Sequence, residues 1–315
     1  MQAVNYSRKK LIDAGLLVHK SDIKNIVPNF PETTEDKLNL LKQACDDWSI
    51  VESHWADTRL IRKHLKLQRK DQINVFLEYP CLSDNRATNL VAADFTSVYS
   101  NAKAINDVWP NLRSVFEKFI QSKSIIDEFS QILLNELPKS VEENKDPVIL
   151  NLLSVSSISK TKPANLTAKV PKKRKITSSN IEKDDEKKKH FRESFILTVN
   201  NSEKVDEEIQ TRNQYIIDNG QQLYPYMVFA GSVISPEKFY VVYNKIKYTV
   251  TSAIEALDLT TKIFCTSTYS FPKNNHVWYI ILKVIYQISP QVPKSTIKLN
   301  NAFSFFEEQL ALKFD

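Results

Sequence analysis

Apolar residues at helical spacing, interrupted by prolines, dominate the first half of the chain. One helix is predicted to begin at Thr33 or Thr34, with apolar side chains along one face: Leu38, Leu41, Ala44, Cys45 and Trp48. The pattern predicts further helices over residues 57–79, 107–119 and 124–137. Pro80 and Pro138 close two of them, because proline cannot continue a helix.

Runs of apolar and β-branched residues in the second half predict a few strands among further helices. Residues 191–199 are apolar and either helical or extended. Strands are expected over residues 225–233, 238–243 and 246–250, with a turn between the first two that favours antiparallel pairing. The remaining segments predict helices over residues 202–219, 251–264, 275–288 and 301–313, the first capped by Ser202 and ended by Gly220. The predicted fold is mostly α, with a small antiparallel β-sheet in the C-terminal lobe, and so belongs to the α+β class.

Glycine occurs at only three positions, Gly15, Gly220 and Gly231. Loops that cradle phosphate need several glycines together, since backbone amides must approach the anion closely. The scattered positions exclude a P-loop, a kinase-type loop and a dinucleotide-binding fingerprint at the level of motifs. Scarce glycine also favours helices over folds with many tight turns.

The net charge of +6 is concentrated in one short segment. Residues 1–168 hold 22 Lys and Arg and 21 Asp and Glu, a net charge of +1. Residues 169–192 hold 10 basic and 4 acidic residues, a net charge of +6. Residues 193–315 hold 11 basic and 12 acidic residues, a net charge of −1. The sequence therefore predicts a helical N-terminal lobe over residues 1–153, a polar and basic linker over 154–192, and an α+β C-terminal lobe over 193–315. Two nearly neutral lobes do not favour a broad phosphate-binding surface.

The basic segment contains two clusters that resemble a bipartite nuclear-import signal. The first consists of Pro171, Lys172, Lys173, Arg174 and Lys175, and the second of Lys187, Lys188 and Lys189. An extended chain of this kind can lay successive cations into acidic grooves of a nuclear import receptor, and proline keeps the first cluster out of a helix. The alternatives are a solvated charged linker and a contact to phosphate or RNA.

A second basic pattern lies in the predicted helix over residues 57–79. At 100° per residue, six cations share one face: Arg59, Arg62, Lys63, Lys66, Arg69 and Lys70. Such a stripe could follow a nucleic-acid backbone. The alternative, favoured by the near-zero charge of the lobe, is a solvated face paired with acids of a neighbouring helix.

No constellation of residues specifies a reaction. Cys45, His54, His64 and Cys81 have spacings that fit no compact zinc knuckle, so neither a metal nor a cofactor is expected. None of the five histidines adjoins a nucleophile elbow. The acids Asp94, Asp107 and Glu117 could suggest the metal site of a nuclease or transposase, but their region is predicted to be helical. Widely spaced cysteines, three in number, indicate a reducing compartment rather than a disulfide framework.

Several short motifs resemble a little-characterised group of animal proteins described as similar to a sterile-alpha-motif-domain-containing protein. They fall within residues 55–290 and comprise Arg69, Tyr79-Pro80, Asp94-Phe95, Trp109, Pro225, Ala256-Leu257-Asp258, the segment from Tyr269 to Trp278, and Tyr286. This chain shows no clear sterile alpha motif of its own. The resemblance implies a relative but no catalytic mechanism.

Together these observations predict a non-enzymatic nuclear protein that binds an import receptor and another nuclear protein. The alternative is a nucleic-acid-binding protein that uses the helix with Arg59 and Lys70, with an origin in a mobile element. No apolar stretch reaches the roughly 20 residues that span a bilayer, so no membrane association is expected.

Overall fold

The structure is a computed structural model of the chain. The structure describes residues 31–43, 45–68, 78–121, 195–232, 236–266, 276–288 and 297–314. Contacts within the chain divide it into two units, Met1–Leu82 and Ser83–Asp315.

Short helices make up the described part of the first unit. They are α1 (Glu32–Leu41), α2 (Trp48–Asp57) and α3 (Arg59–Gln68). The carboxylate of Asp47 accepts a hydrogen bond of 3.0 Å from the Ser49 N–H, so an aspartate caps the start of α2. The sequence pattern predicted that Trp48 lies on the same helix as Leu38. Instead, Asp47 starts a new helix, and Trp48 belongs to α2.

The second unit begins with two 3₁₀ turns and two helices. The turns cover Pro80–Ser83, which straddles the boundary, and Asn85–Ala87. They are followed by α4 (Thr88–Val98) and α5 (Ile105–Gln121). The helix predicted over residues 107–119 is confirmed as α5, whereas α4 was not predicted. The helix predicted over residues 124–137 lies outside the described residues.

The second unit contains a four-stranded mixed sheet. Its strands are β1 (Ile196–Val199), β2 (Tyr226–Gly231), β3 (Pro236–Tyr243) and β4 (Ile246–Val250), in the order β1–β2–β3–β4. Strands β2, β3 and β4 pair antiparallel, as predicted, with Phe239 opposite both Phe229 and Val250. Strand β1 pairs parallel with β2, so the expectation of a purely antiparallel sheet is corrected to a mixed one.

Helix α6 (Val205–Asp218) covers one face of this sheet. It follows a 3₁₀ turn, Ser202–Lys204, in which Asn201 and not Ser202 provides the side-chain cap. Its buried side chains, including Val205 and Ile209, pack with residues that alternate along three strands, as one face of a pleated sheet requires: Leu197, Val199, Tyr226, Val228, Ala230, Tyr240 and Val242. Gly220 follows the helix with φ of +64°, the left-handed conformation expected beyond a helix end.

Helix α7 (Ala253–Thr266) contacts β2, β3 and β4 and also packs against α4 and α5. The hydroxyl of Ser252 accepts from the Glu255 N–H at 3.2 Å, and the Glu255 carboxylate accepts from the Thr251 N–H at 2.7 Å. This reciprocal capping fixes the predicted start of the helix.

The C-terminal elements are α8 (His276–Ile280), a π turn (Ile281–Ile285) and α9 (Ile297–Phe314). Helix α9 packs against α5 through an aromatic cluster. The rings of Phe116 and Phe119 lie 4.8 and 4.9 Å from that of Phe306, between centroids.

The predicted fold class is therefore confirmed: the described residues are mostly helical and carry a small sheet in the C-terminal part. Helices α4 and α5, expected in an N-terminal lobe ending at residue 153, pack with elements beyond residue 195. Residue 153 itself lies outside the described residues.

Candidate functional site

The predicted basic stripe falls on α3, and the structure separates its members. Arg59 and Lys63 are exposed, whereas Arg62 retains only 7% of its accessible surface. The backbone of Lys66 continues the helix, and Arg69 and Lys70 lie outside the described residues. The single basic face predicted for this helix is thus interrupted at Arg62.

Arg62 is buried because its guanidinium stacks on Trp55. Its Cζ atom lies 3.6 Å from the centroid of the Trp55 ring. Its Nη1 donates hydrogen bonds to the Trp55 carbonyl and, at 2.5 Å, to the Thr58 hydroxyl. A planar guanidinium can stack on an aromatic ring and donate several N–H hydrogen bonds in its own plane at the same time. Arg62 therefore connects α2 to α3 inside the first unit.

Ring packing extends this contact to Tyr79, one of the residues that carry the resemblance. Tyr79 is 2% exposed and meets Trp55 edge to face, with 5.5 Å between centroids. On the outer side of α3, Leu60 is 65% exposed between the cations Arg59 and Lys63. The exposed face of this helix is consequently mixed rather than uniformly basic.

A partly buried polar network in the second unit brings together three elements. The Tyr286 hydroxyl donates to Asp258 Oδ1 at 2.8 Å, and Lys262 Nζ lies 2.6 Å from Asp258 Oδ2. Asp258 and Lys262 are one turn apart on α7, while Tyr286 directly follows the π turn. The Phe95 ring of α4 meets the Tyr286 ring at 5.6 Å between centroids.

The electrostatics of this network favour a neutral tyrosine. Burial, reinforced by the negative charge of Asp258, raises the pKa of Tyr286 well above its usual value. Both oxygens of the Asp258 carboxylate already have a donor, one from Tyr286 and one from Lys262. The hydrogen bond from Tyr286 to Asp258 thus connects the end of the π turn to α7.

Before the structure was known, the residues of this network were connected only by the resemblance to the group of animal proteins. Asp94-Phe95, Ala256-Leu257-Asp258 and Tyr286 are far apart in the sequence, yet Phe95, Asp258 and Tyr286 meet in the structure. The spacing of Asp258 and Lys262 by four residues is a local signal for an ion pair on a helix. Nothing local indicates that Tyr286 supplies the second donor.

A second polar cluster joins α6 to the sheet and was not predicted. Arg212 is 7% exposed, and its Cζ lies 3.5 Å from the centroid of the Tyr226 ring. The amide oxygen of Asn213 accepts from both Arg212 Nη1 and the Tyr226 hydroxyl at 3.1 Å. The Asn213 amide nitrogen donates to the carbonyl of Asn244, in the turn between β3 and β4. This cluster holds the hairpin turn against α6.

The three cysteines, Cys45, Cys81 and Cys265, form no disulfide with one another. Burial raises the pKa of the Cys81 thiol to about 11, so this group is protonated at neutral pH and a weak nucleophile. Among the described residues, no group of three or more His, Cys, Asp or Glu side chains is placed to hold a metal ion.

The two basic clusters over residues 171–175 and 187–189 lie outside the described residues. In the part of the chain that the structure covers, no helix is both long enough and apolar enough to cross a bilayer.

Comparison with known proteins was made for families, curated proteins and solved structures. None matches this chain.

Proposed function

We propose that this chain is a non-enzymatic nuclear protein whose folded parts bind another protein. The observation that carries the proposal is the confinement of the +6 charge to residues 169–192, with nearly neutral sequence on both sides. The two basic clusters there act as the import signal, and the nuclear import receptor is the first partner. The folded units then supply the surface for a nuclear protein partner.

Ion pairing in the folded units supports protein binding over phosphate binding. Several described cations already have acidic partners within 2.7 Å: Lys37 with Asp57, Arg86 with Asp84, Lys247 with Asp206, Lys262 with Asp258, and Lys283 with Glu307. Such pairs reduce the positive field that would attract a nucleic acid. A partner bound through largely neutral surfaces would show only a weak dependence on salt.

The proposal is tested by imaging the intact chain fused to tandem fluorescent proteins, so that passive entry into the nucleus is slow. Replacing Lys172, Lys173, Arg174 and Lys175 by alanine is expected to abolish nuclear accumulation, because the import receptor reads these cations. A matched control removes four cations outside the clusters, at Lys139, Lys145, Lys160 and Lys162.

Nuclear accumulation should survive in the control variant and in the wild type. A wild-type fusion that stays in the cytoplasm would reject the proposal, and so would a quadruple variant that still accumulates in the nucleus. Replacing Lys187, Lys188 and Lys189 instead measures how far the second cluster contributes, and partial loss is expected for a bipartite signal.

The alternative function is nucleic-acid binding through α3, favoured by the exposure of Arg59 and Lys63. It predicts an affinity for DNA or RNA that falls steeply as salt is added, since bound cations release counterions from the phosphates. The double variant R59A/K63A should weaken such binding, whereas K238A/K245A, which removes two exposed cations elsewhere, should not. Undetectable binding at about 50 mM salt would remove this alternative.

A further inference from the structure

Strand β4 lies at one edge of the described sheet. Within the described residues it pairs on one side only, with β3, and Thr249 lies opposite Tyr240. The Thr249 N–H points away from β3 and donates to Asn85 Oδ1 at 2.8 Å. Asn85 Nδ2 donates in return to the Thr249 carbonyl at 3.3 Å.

The amide of Asn85 thus takes the place that a peptide group of a fifth strand would occupy. In an antiparallel ladder, two opposed residues exchange both main-chain hydrogen bonds, one N–H and one C=O each. The Asn85 side chain reproduces both partners for Thr249. Since alternate residues of a strand direct these groups to the same side, Lys247 presents its own N–H and C=O at this edge too.

The turn that carries Asn85 is held in place by its neighbours. Asp84 caps the 3₁₀ turn by accepting from the Arg86 N–H at 2.8 Å. The Arg86 guanidinium also binds the Asp84 carboxylate through Nε at 3.0 Å and Nη2 at 2.7 Å. Asn85 is therefore presented to β4 from a preformed turn.

We propose that Asn85 closes the exposed edge of β4 and prevents a second copy of this chain from adding its own β4 there. An antiparallel pair of β4 strands with Lys247 opposite Thr249 would form four main-chain hydrogen bonds. That register places no lysine opposite another lysine, so charge repulsion between like residues does not oppose it. Unpaired strand edges readily take up another strand, and proteins commonly protect them.

The test compares self-association of the full chain by sedimentation velocity over a range of concentrations. N85A is expected to shift the distribution towards dimer, because the N–H and C=O of Thr249 lose their side-chain partners and become available to a second strand. N219A is the matched control, since Asn219 is exposed and its side-chain amide donates at 2.7 Å to the Tyr215 carbonyl, a contact within α6 and its cap. N85S, whose hydroxyl is too short to bridge both groups of Thr249, replaces N85A if that variant does not fold.

A second substitution identifies the edge involved. Thr249→Pro added to N85A removes the outward N–H and should return the protein to the wild-type distribution, because proline is tolerated where the N–H faces away from the sheet. The proposal is overturned if the Asn85 variants sediment as the wild type does. It is equally overturned if they associate and Thr249→Pro does not reverse the association.

Discussion

At the scale of single residues, Arg62 connects α2 to α3 through its contacts with Trp55. The spacing correctly places Arg59 and Lys63 on an exposed face of α3. It also assigns Arg62 to that face, although its guanidinium is buried on the Trp55 ring. Arginine carries both an apolar stem and a planar head that stacks on aromatic rings, so charge alone does not predict exposure. The decisive neighbour, Trp55, lies on a different helix.

Tyr286 provides a prediction at the same scale. Tyr286→Phe should lower the free energy of unfolding by about 1 kcal/mol, because Asp258 loses the hydrogen bond from the hydroxyl. A urea titration at neutral pH measures this loss. Thr249→Ser, at an exposed position of β4, serves as a control that should change little.

The same variant should alter the response to alkaline pH. The folded state raises the pKa of Tyr286, so it holds the proton more tightly than the unfolded chain does. The contribution of the protonated Tyr286 hydroxyl to the free energy of unfolding is fully present below pH of about 10. It is lost as the pH rises above the pKa of an unfolded tyrosine. Tyr286→Phe should therefore lose stability less steeply above that pH than the wild type. Equal slopes would contradict the burial of an ionisable hydroxyl at this position.

At the scale of elements, local chemistry predicted the helices and strands whose ends carry a clear signal. The start of α7 at Ala253, directly after the capping Ser252, and the end of α6 before Gly220 follow from capping residues. Helix α4 was missed, since its buried residues Leu90, Val91 and Phe95 do not stand out as an amphipathic pattern. The parallel direction of β1 was also missed. It depends on pairing with β2 across an intervening helix, which local propensity does not encode.

The π turn supplies a prediction at this scale. Gln287 follows Tyr286 with φ of +56°, and the Ile288 N–H donates to the Leu282 carbonyl at 3.0 Å. A left-handed conformation is costly for residues other than glycine. Gln287→Gly should therefore raise the free energy of unfolding by roughly 0.5 to 1 kcal/mol, after allowing for the entropy that glycine loses on folding.

Gln287→Ala is the matched variant, because it shortens the exposed side chain but keeps the left-handed backbone. It should leave stability nearly unchanged in the same urea titration. If glycine and alanine had equal effects, the conformation assigned to Gln287 would be wrong.

At the scale of the whole molecule, the sequence predicted the fold class. Composition, scarce glycine and the strand patterns after residue 225 were enough to indicate an α+β protein. The grouping of α4 and α5 with the C-terminal elements arises from contacts such as Phe116 with Phe306, which are distant in the sequence. Such contacts cannot be deduced from spacing along one chain.

Charge, by contrast, is a property that the whole sequence displays directly. Its concentration in residues 169–192 is independent of how the folded units pack, and the proposed nuclear role follows from it. If that segment alone serves as the signal for import, it should work on any carrier that cannot enter the nucleus unaided.

The most direct measurement is the nuclear-to-cytoplasmic ratio of a large cytoplasmic reporter that carries residues 169–192 at its end. The ratio should rise clearly above that of the reporter alone, and it should fall back when Lys172, Lys173, Arg174 and Lys175 in the graft are alanine. A reporter that remains cytoplasmic with the intact graft would contradict the account.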